Sequence, residues 1–353
     1  MDIQEFVKKQ REIQKSLLDF IENENDNEEN FQNLINILEN QNIRDDRSGL
    51  KSFLYLIVKV SNNHYRTKDF FEKIEKILLS FTNEIKIFFS NLEIFKLFHS
   101  NKKILLFLIS ERIMFIDENI SAILENEKYK NANYMEYFVE KNQSDDKNKK
   151  DENDDYICQL IKNDWIEEFI THYNTNFFSL NLTIKRSIFE THPFLLKNTK
   201  TKLIEYAAFF GSIQIFKYLY YNNAKKSKSL WLYAIHSDNP EILNFLEVSK
   251  IVPEDETYES CFKEAIKCHH NSIALYIKNN LLKETEQIFN RKKENCIECA
   301  LHYYNYAFFP DDLSNKPIFN HLCKYDYLKL VEFFINAKKI NINEKIIRMI
   351  YFF

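Results

Sequence analysis

Six cysteines and nine histidines are the residues of this chain best suited to holding a metal or attacking a substrate. The cysteines are Cys158, Cys261, Cys268, Cys296, Cys299 and Cys323. Cys296 and Cys299 stand three apart and His302 follows three further on, so a helix here sets three soft ligands along one face. Cys268, His269 and His270 form a second cluster. Zinc takes four such ligands in a tetrahedron, typically with at least one pair on a turn. The competing reading is that small thiols fill buried slots, and it is favoured because Cys261 and Cys323 fall near core positions of the pattern described below. No metal and no cofactor is therefore expected, with Cys296, Cys299 and His302 as the remaining candidates. Disulfides are not expected in a reducing compartment.

Carboxylates offer less. Glu167 and Glu168 are adjacent, as are Asp311 and Asp312, so on a helix their side chains point apart. Acid–base catalysis needs groups that converge in a pocket. The only glycines are Gly49 and Gly211, which excludes Gly-rich phosphate loops and G-x-S-x-G nucleophile elbows. The chain is expected not to be an enzyme.

The elements that must carry these residues are helices. Hydrophobic residues make up 45% and charged ones 28%, the balance of a soluble globular protein. So few glycines and prolines disfavour a turn-rich sheet protein, and the expected class is all-α. The net charge of -4 argues against a nucleic-acid partner. No apolar run approaches the ~18 residues of a membrane span, and Met1 to Gln14 lacks an apolar signal core. The reading is intracellular, in the cytoplasm, with no membrane.

Apolar spacing places helices at 2–22, Phe31 to Glu39, Leu50 to Val60, Phe70 to Ser80, Ile85 to Phe98 and Lys103 to Phe115, joined by short connectors without an exact period. Lys141 to Asp155 is mixed in charge and has no apolar residue, as in a solvated linker or loop. The expected organisation is an N-terminal helical region over 1–140, a linker at 141–155 and a repeat array over 156–353.

The array is read from an internal echo. Placing Ala207 on Ala234 aligns Tyr206 with Tyr233, Ile215 with Ile242 and Leu219 with Leu246. A third copy puts Ala265 at the same place, with Ile273 and Ile277 following. A later copy puts Leu322 there, then Leu330 and Phe334, and an early one puts Leu160 there. The turn position then holds Gly211, Asp238, His269, Asp326 and Asp164. A turn between two helices often calls for positive φ, which Gly adopts freely and Asp tolerates. A period of roughly 30 residues, each unit being helix, turn and helix, is the mark of a helical repeat. Glu264 puts a charge where Tyr206 and Tyr233 sit, so that copy looks imperfect. The register between Ile277 and Ile318 stays open.

AAFFGSIQIFKYL is similar to the ankyrin pattern AAxxGHxxIVxxLL, and LCKYDYLKLVEFFINAKKININ to the second half of such a repeat. Together with LWLYAIHSDNPEILNFLE and ALHYYNYAFFP, the chain resembles a large protist family of ankyrin-repeat proteins carrying a conserved region of unknown function. The resemblance covers roughly residues 156 to 343 and implies an ankyrin-like helical-repeat solenoid preceded by the N-terminal helical region. The Thr-Pro-Leu-His box is missing: Ser229-Leu230-Trp231-Leu232 stands there in one copy.

In ankyrin-like units the two residues after AA lie towards the concave face. Here they are Phe209 and Phe210, matched by His236 and Ser237, Lys267 and Cys268, and Lys324 and Tyr325. Phe209, Phe210, His236, Lys267, Lys324 and Tyr325 are thus the expected partner-binding residues, because interfaces favour exposed aromatics. The competing reading packs Phe209 or Phe210 on the neighbouring unit. A solenoid end also needs a polar cap, whereas Lys345 to Phe353 is apolar; it either folds back as a cap or belongs to a longer array. The expected function is a non-catalytic scaffold binding an unidentified protein on the concave face. The alternative is a metal- or ligand-dependent regulator built on Cys296, Cys299 and His302.

Overall fold

The computed structural model describes residues 3–23, 28–125, 137–138, 155–185, 187–282, 296–310 and 316–338. Among them the regular elements are helical, and Thr183 and Lys202 form an isolated antiparallel bridge. The all-α expectation holds. No described helix is long and apolar enough to cross a membrane. Residues 141–154 of the expected linker and the apolar stretch from Lys345 to Phe353 lie outside the described residues.

The chain divides into two compact units, and the boundary does not fall at the expected linker. The first unit comprises Met1–Lys59, Arg66–Glu84 and Glu284–Phe353; the second comprises Val60–Tyr65 and Ile85–Lys283. In the first unit, helix α1 (Ile3–Glu22) packs on α2 (Glu28–Asn40), on α4 (Phe70–Ser80) and on the short turn Tyr306–Phe308. The last contact explains why the N-terminal residues group with the C-terminal ones. The Arg11 guanidinium donates to the Tyr306 and Phe309 carbonyls, both at 2.9 Å, and the Gln14 amide donates to Asn305 Oδ1 at 2.9 Å. Lys73 of α4 is buried, and its ammonium donates to the Ile21 and Asn23 carbonyls at the end of α1. A cation suits that negative end of the helix dipole.

The second unit takes in the end of α3 (Arg47–Asn63) and most of α5 (Thr82–Phe88), then α6 (Asn91–Phe98), α7 (Lys102–Ser110) and α8 (Glu118–Leu124). Four helix pairs follow: α9 (Tyr156–Lys162) with α10 (Ile166–Asn176), α12 (Leu203–Phe210) with α13 (Ile213–Tyr221), α14 (Leu230–His236) with α15 (Pro240–Val248), and α16 (Glu259–Lys267) with α17 (Asn271–Tyr276). A short helix, α11 (Pro193–Lys197), precedes α12. The first helices touch in order, α9 on α12, α12 on α14 and α14 on α16. Asp155, Asn239 and, further up, Ser90, Asn101 and Asp117 cap helix N-termini through their side chains.

All five expected turn residues adopt positive φ: Asp164 (52°), Gly211 (75°), Asp238 (50°), His269 (60°) and Asp326 (62°). In four of these turns the amide of the next residue bonds back to the aligned position: Trp165 to Leu160, Ser212 to Ala207, His270 to Ala265 and Tyr327 to Leu322, at 2.9 to 3.1 Å. Such a bond satisfies a carbonyl the helix end would otherwise leave open. The same bond fixes the register left open in the sequence. Tyr304 has φ 56° and Asn305 N–H reaches the Ala300 carbonyl at 2.9 Å, so Ala300 is the aligned position in the first unit.

Side chains then tie one pair to the one before it. Ser212 Oγ donates to the Ile161 carbonyl, the His270 ring bonds that of Ile235 at 2.7 Å, and Tyr327 Oη donates to that of Leu301 at 2.7 Å. Each tie runs from the residue after a turn to the equivalent carbonyl of the preceding copy. A related pair appears where no period was found. Asn101, Ile104, Leu105, Leu108, Arg112 and Ile113 follow the spacing of Asn239, Ile242, Leu243, Leu246, Lys250 and Ile251, and in both sets the residue before the last is basic with positive φ. Lys250 is exposed at φ 54°, a conformation costing a non-glycine residue about 1 kcal/mol. Lys250→Gly is expected to stabilise the protein by up to that amount, read as a rise in melting temperature.

Candidate functional site

Of the expected ligands, Cys296 and Cys299 are half-buried and the His302 ring stacks on Tyr325 at 4.7 Å and 8°. Among the described residues, the three ligand-type side chains that converge are different ones: His236, Glu264 and Cys268. None of the six cysteines is disulfide-bonded.

The expected partner-binding residues divide as well. Lys324 is exposed and Tyr325 half-buried, and both bond Glu298 Oε1 at 3.0 Å. Phe210 and Lys267 are half-buried. Phe209 and His236 are 6% and 2% exposed, which corrects their assignment to an open surface. The cause is α11, which the sequence reading left unassigned. Its Phe194 stacks on Phe209 at 5.9 Å and 10° and lies 4.2 Å from the His236 ring, while His192 meets Phe209 edge-on at 4.8 Å. A signal for this helix was present: His192 caps it by accepting from Phe194 N–H, and Pro193 occupies the first position, where the missing N–H costs nothing.

Around this point the second unit buries five histidines, His64, His192, His236, His269 and His270, none more than 4% exposed. Buried polar groups need partners, and these have them. His64 Nδ1 bonds the Cys268 carbonyl at 2.7 Å. His270 Nδ1 bonds the Ile235 carbonyl, and its Nε2 accepts from Tyr65 N–H at 3.3 Å. One donated and one accepted bond define a neutral imidazole. Burial holds the His270 pKa well below the ordinary histidine range, and the nearby His64 lowers it further.

His236 Nε2 lies 2.8 Å from Glu264 Oε1, and its Nδ1 lies 3.3 Å from Cys268 Sγ. Lys267 Nζ donates to the same Glu264 oxygen at 2.7 Å. Burial lowers the His236 pKa against the raising effect of Glu264. Burial alone would raise that of Glu264, but its hydrogen bond to His236 and the charge and hydrogen bond of Lys267 hold it below the usual carboxylate range. Glu264 is the residue that broke the repeat pattern in the sequence, and its partners are the reason a carboxylate is tolerated there.

A thiol, an imidazole and a carboxylate in series have the order of an activated nucleophile. Here Cys268 is 0% exposed and the His236 side chain is 0% exposed, so an acyl carbon has no approach to the sulfur without the unit opening. Ligation of an ion needs converging donor atoms and an entry path, and the part-exposed side of this cluster is that of Glu264 and Lys267, whose side chains are 16% and 18% exposed. His64 and His192 were not singled out from the sequence, since they lie far from Cys268 along the chain. Comparison with protein-family models, with curated proteins and with solved structures finds no match.

Proposed function

We propose that the chain is a non-catalytic protein-interaction module whose helix pairs form an ankyrin-like array and bind a protein partner. What supports the reading is the repetition of one device, a left-handed turn residue with a tie to the preceding pair, at aligned positions. Such stacking builds an extended surface out of short units, which is the usual use of helical repeats. The sealed thiol speaks against catalysis. A regulator built on Cys296, Cys299 and His302 is less favoured, because those side chains do not converge.

The partner face is assigned to the ends of the first helices, where Phe210 and Lys267 remain part-exposed. Tyr221 and Val248, 69% and 74% exposed on the second helices, supply the control. In affinity purification, Phe210→Ala is expected to lose a partner that Tyr221→Ser with Val248→Ser retains. The opposite pattern would move the face to the second helices. A partner recovered equally with both variants would remove both surfaces from consideration.

A further inference from the structure

We propose that His236, Glu264 and Cys268 form a binding site for one divalent transition-metal ion of the zinc class. His236 ends α14, while Glu264 and Cys268 stand one helical turn apart at the end of α16. The three donor atoms lie within 4.8 Å of one another. His236 Nε2 is 2.8 Å from Glu264 Oε1 and 3.9 Å from Cys268 Sγ. Metal–ligand lengths of about 2.0–2.3 Å place tetrahedral ligands roughly 3.3–3.6 Å apart, so the 2.8 Å pair must open by about half an ångström and the widest pair, within 4.8 Å, must close by up to about 1.2 Å as the ion binds. A nitrogen, a carboxylate oxygen and a thiolate are the mixed set that zinc and cobalt(II) accept.

Charge and proton balance follow. The thiolate and the carboxylate offset the two positive charges of the ion. Cys268 releases one proton to solvent as the sulfur–metal bond forms. Nε2 of His236 ligates as a neutral imidazole, so the proton it shares with Glu264 moves to Nδ1. The Asn63 backbone is already a hydrogen-bond partner of this ring. A backbone carbonyl behind a ligating histidine is the usual supporting arrangement. Lys267 gives up Glu264 as the ion arrives; its side chain is 18% exposed and can turn to solvent.

The test is cobalt(II) titration of the full chain after chelator treatment, followed by absorption. One equivalent is expected to give the intense visible bands of a tetrahedral ion and a thiolate-to-cobalt band in the near ultraviolet, both lost on adding zinc. Cys268→Ser should abolish the thiolate band. Glu264→Gln should keep that band and weaken binding by at least the roughly 10–100-fold seen when a supporting group is lost. Cys296→Ser with Cys299→Ser should change neither. Circular dichroism confirms that each variant is folded. No thiolate band with folded wild type would overturn the proposal, as would a band that survives Cys268→Ser and disappears with the Cys296 and Cys299 pair. Unchanged affinity in Glu264→Gln would remove the carboxylate from the site.

Discussion

Replacing Phe209 with alanine is expected to lower the stability of the second unit by about 3–5 kcal/mol, whereas Phe210→Ala costs about 1 kcal/mol. The two residues are neighbours on α12 and of one type, so only their surroundings differ. Phe209 is buried among His192, Phe194 and His236, and its removal leaves a cavity lined by rings. Phe210 is half-buried and leans on Tyr206 at 4.7 Å. Both tryptophans, Trp165 and Trp231, belong to the second unit, so tryptophan fluorescence in urea reports that unit alone. Equal and small losses in the two variants would mean that α11 does not cover this face. A practical consequence is that a Phe209 and Phe210 double variant cannot separate lost binding from lost folding.

The second unit is also expected to weaken steeply between pH 7 and pH 5. His236 and His270 have folded-state pKa values depressed chiefly by burial. The unfolded chain therefore takes up protons near the ordinary value of about 6.5, while the folded unit does not. Stability is full above that value and falls as pH drops towards the folded pKa values, by up to about 1.4 kcal/mol per pH unit for each histidine. Glu264, held below its usual range, adds a further loss below about pH 4.5. Urea midpoints at pH 7 and pH 5 should separate, and His270→Gln, although less stable at pH 7, should show the smaller separation. A wild type as stable at pH 5 as at pH 7 would show that these rings are protonated within the fold.

The backbone of the repeat was legible because it is written in short range. Leu160, Ala207, Ala234, Ala265 and Leu322 recur with a fixed offset to a residue tolerating positive φ, and that offset is set by one helix end. The copy at Ala300 escaped notice because a tyrosine holds its turn, a bulky residue rarely found there. The pair α6 and α7 escaped because its likeness to α14 and α15 is confined to the second helix and its closing turn. The site was legible in pieces only. Cys268 and His270 stood out as a cluster, His236 as a surface position and Glu264 as a fault in the pattern. Nothing in the sequence joins them, since convergence depends on how consecutive pairs stack. The ankyrin resemblance put Phe209 towards the concave face, and nothing in it showed that a helix from the preceding connection would cover that residue.

The hydrogen bonds from Arg11 and Gln14 to residues 305–309 set an order of events for synthesis. About 290 residues separate their partners in the chain, and closing so long a loop costs only slowly growing entropy, so the constraint is one of time. As the chain leaves the ribosome at roughly 5–20 residues per second, the apolar face of α1 waits through the whole of the second unit before its partner turn is made. For that interval, α2 and α4 are its available cover. A nascent chain arrested before Tyr306 should therefore be the form most dependent on chaperones, and the second unit should become protease-resistant first.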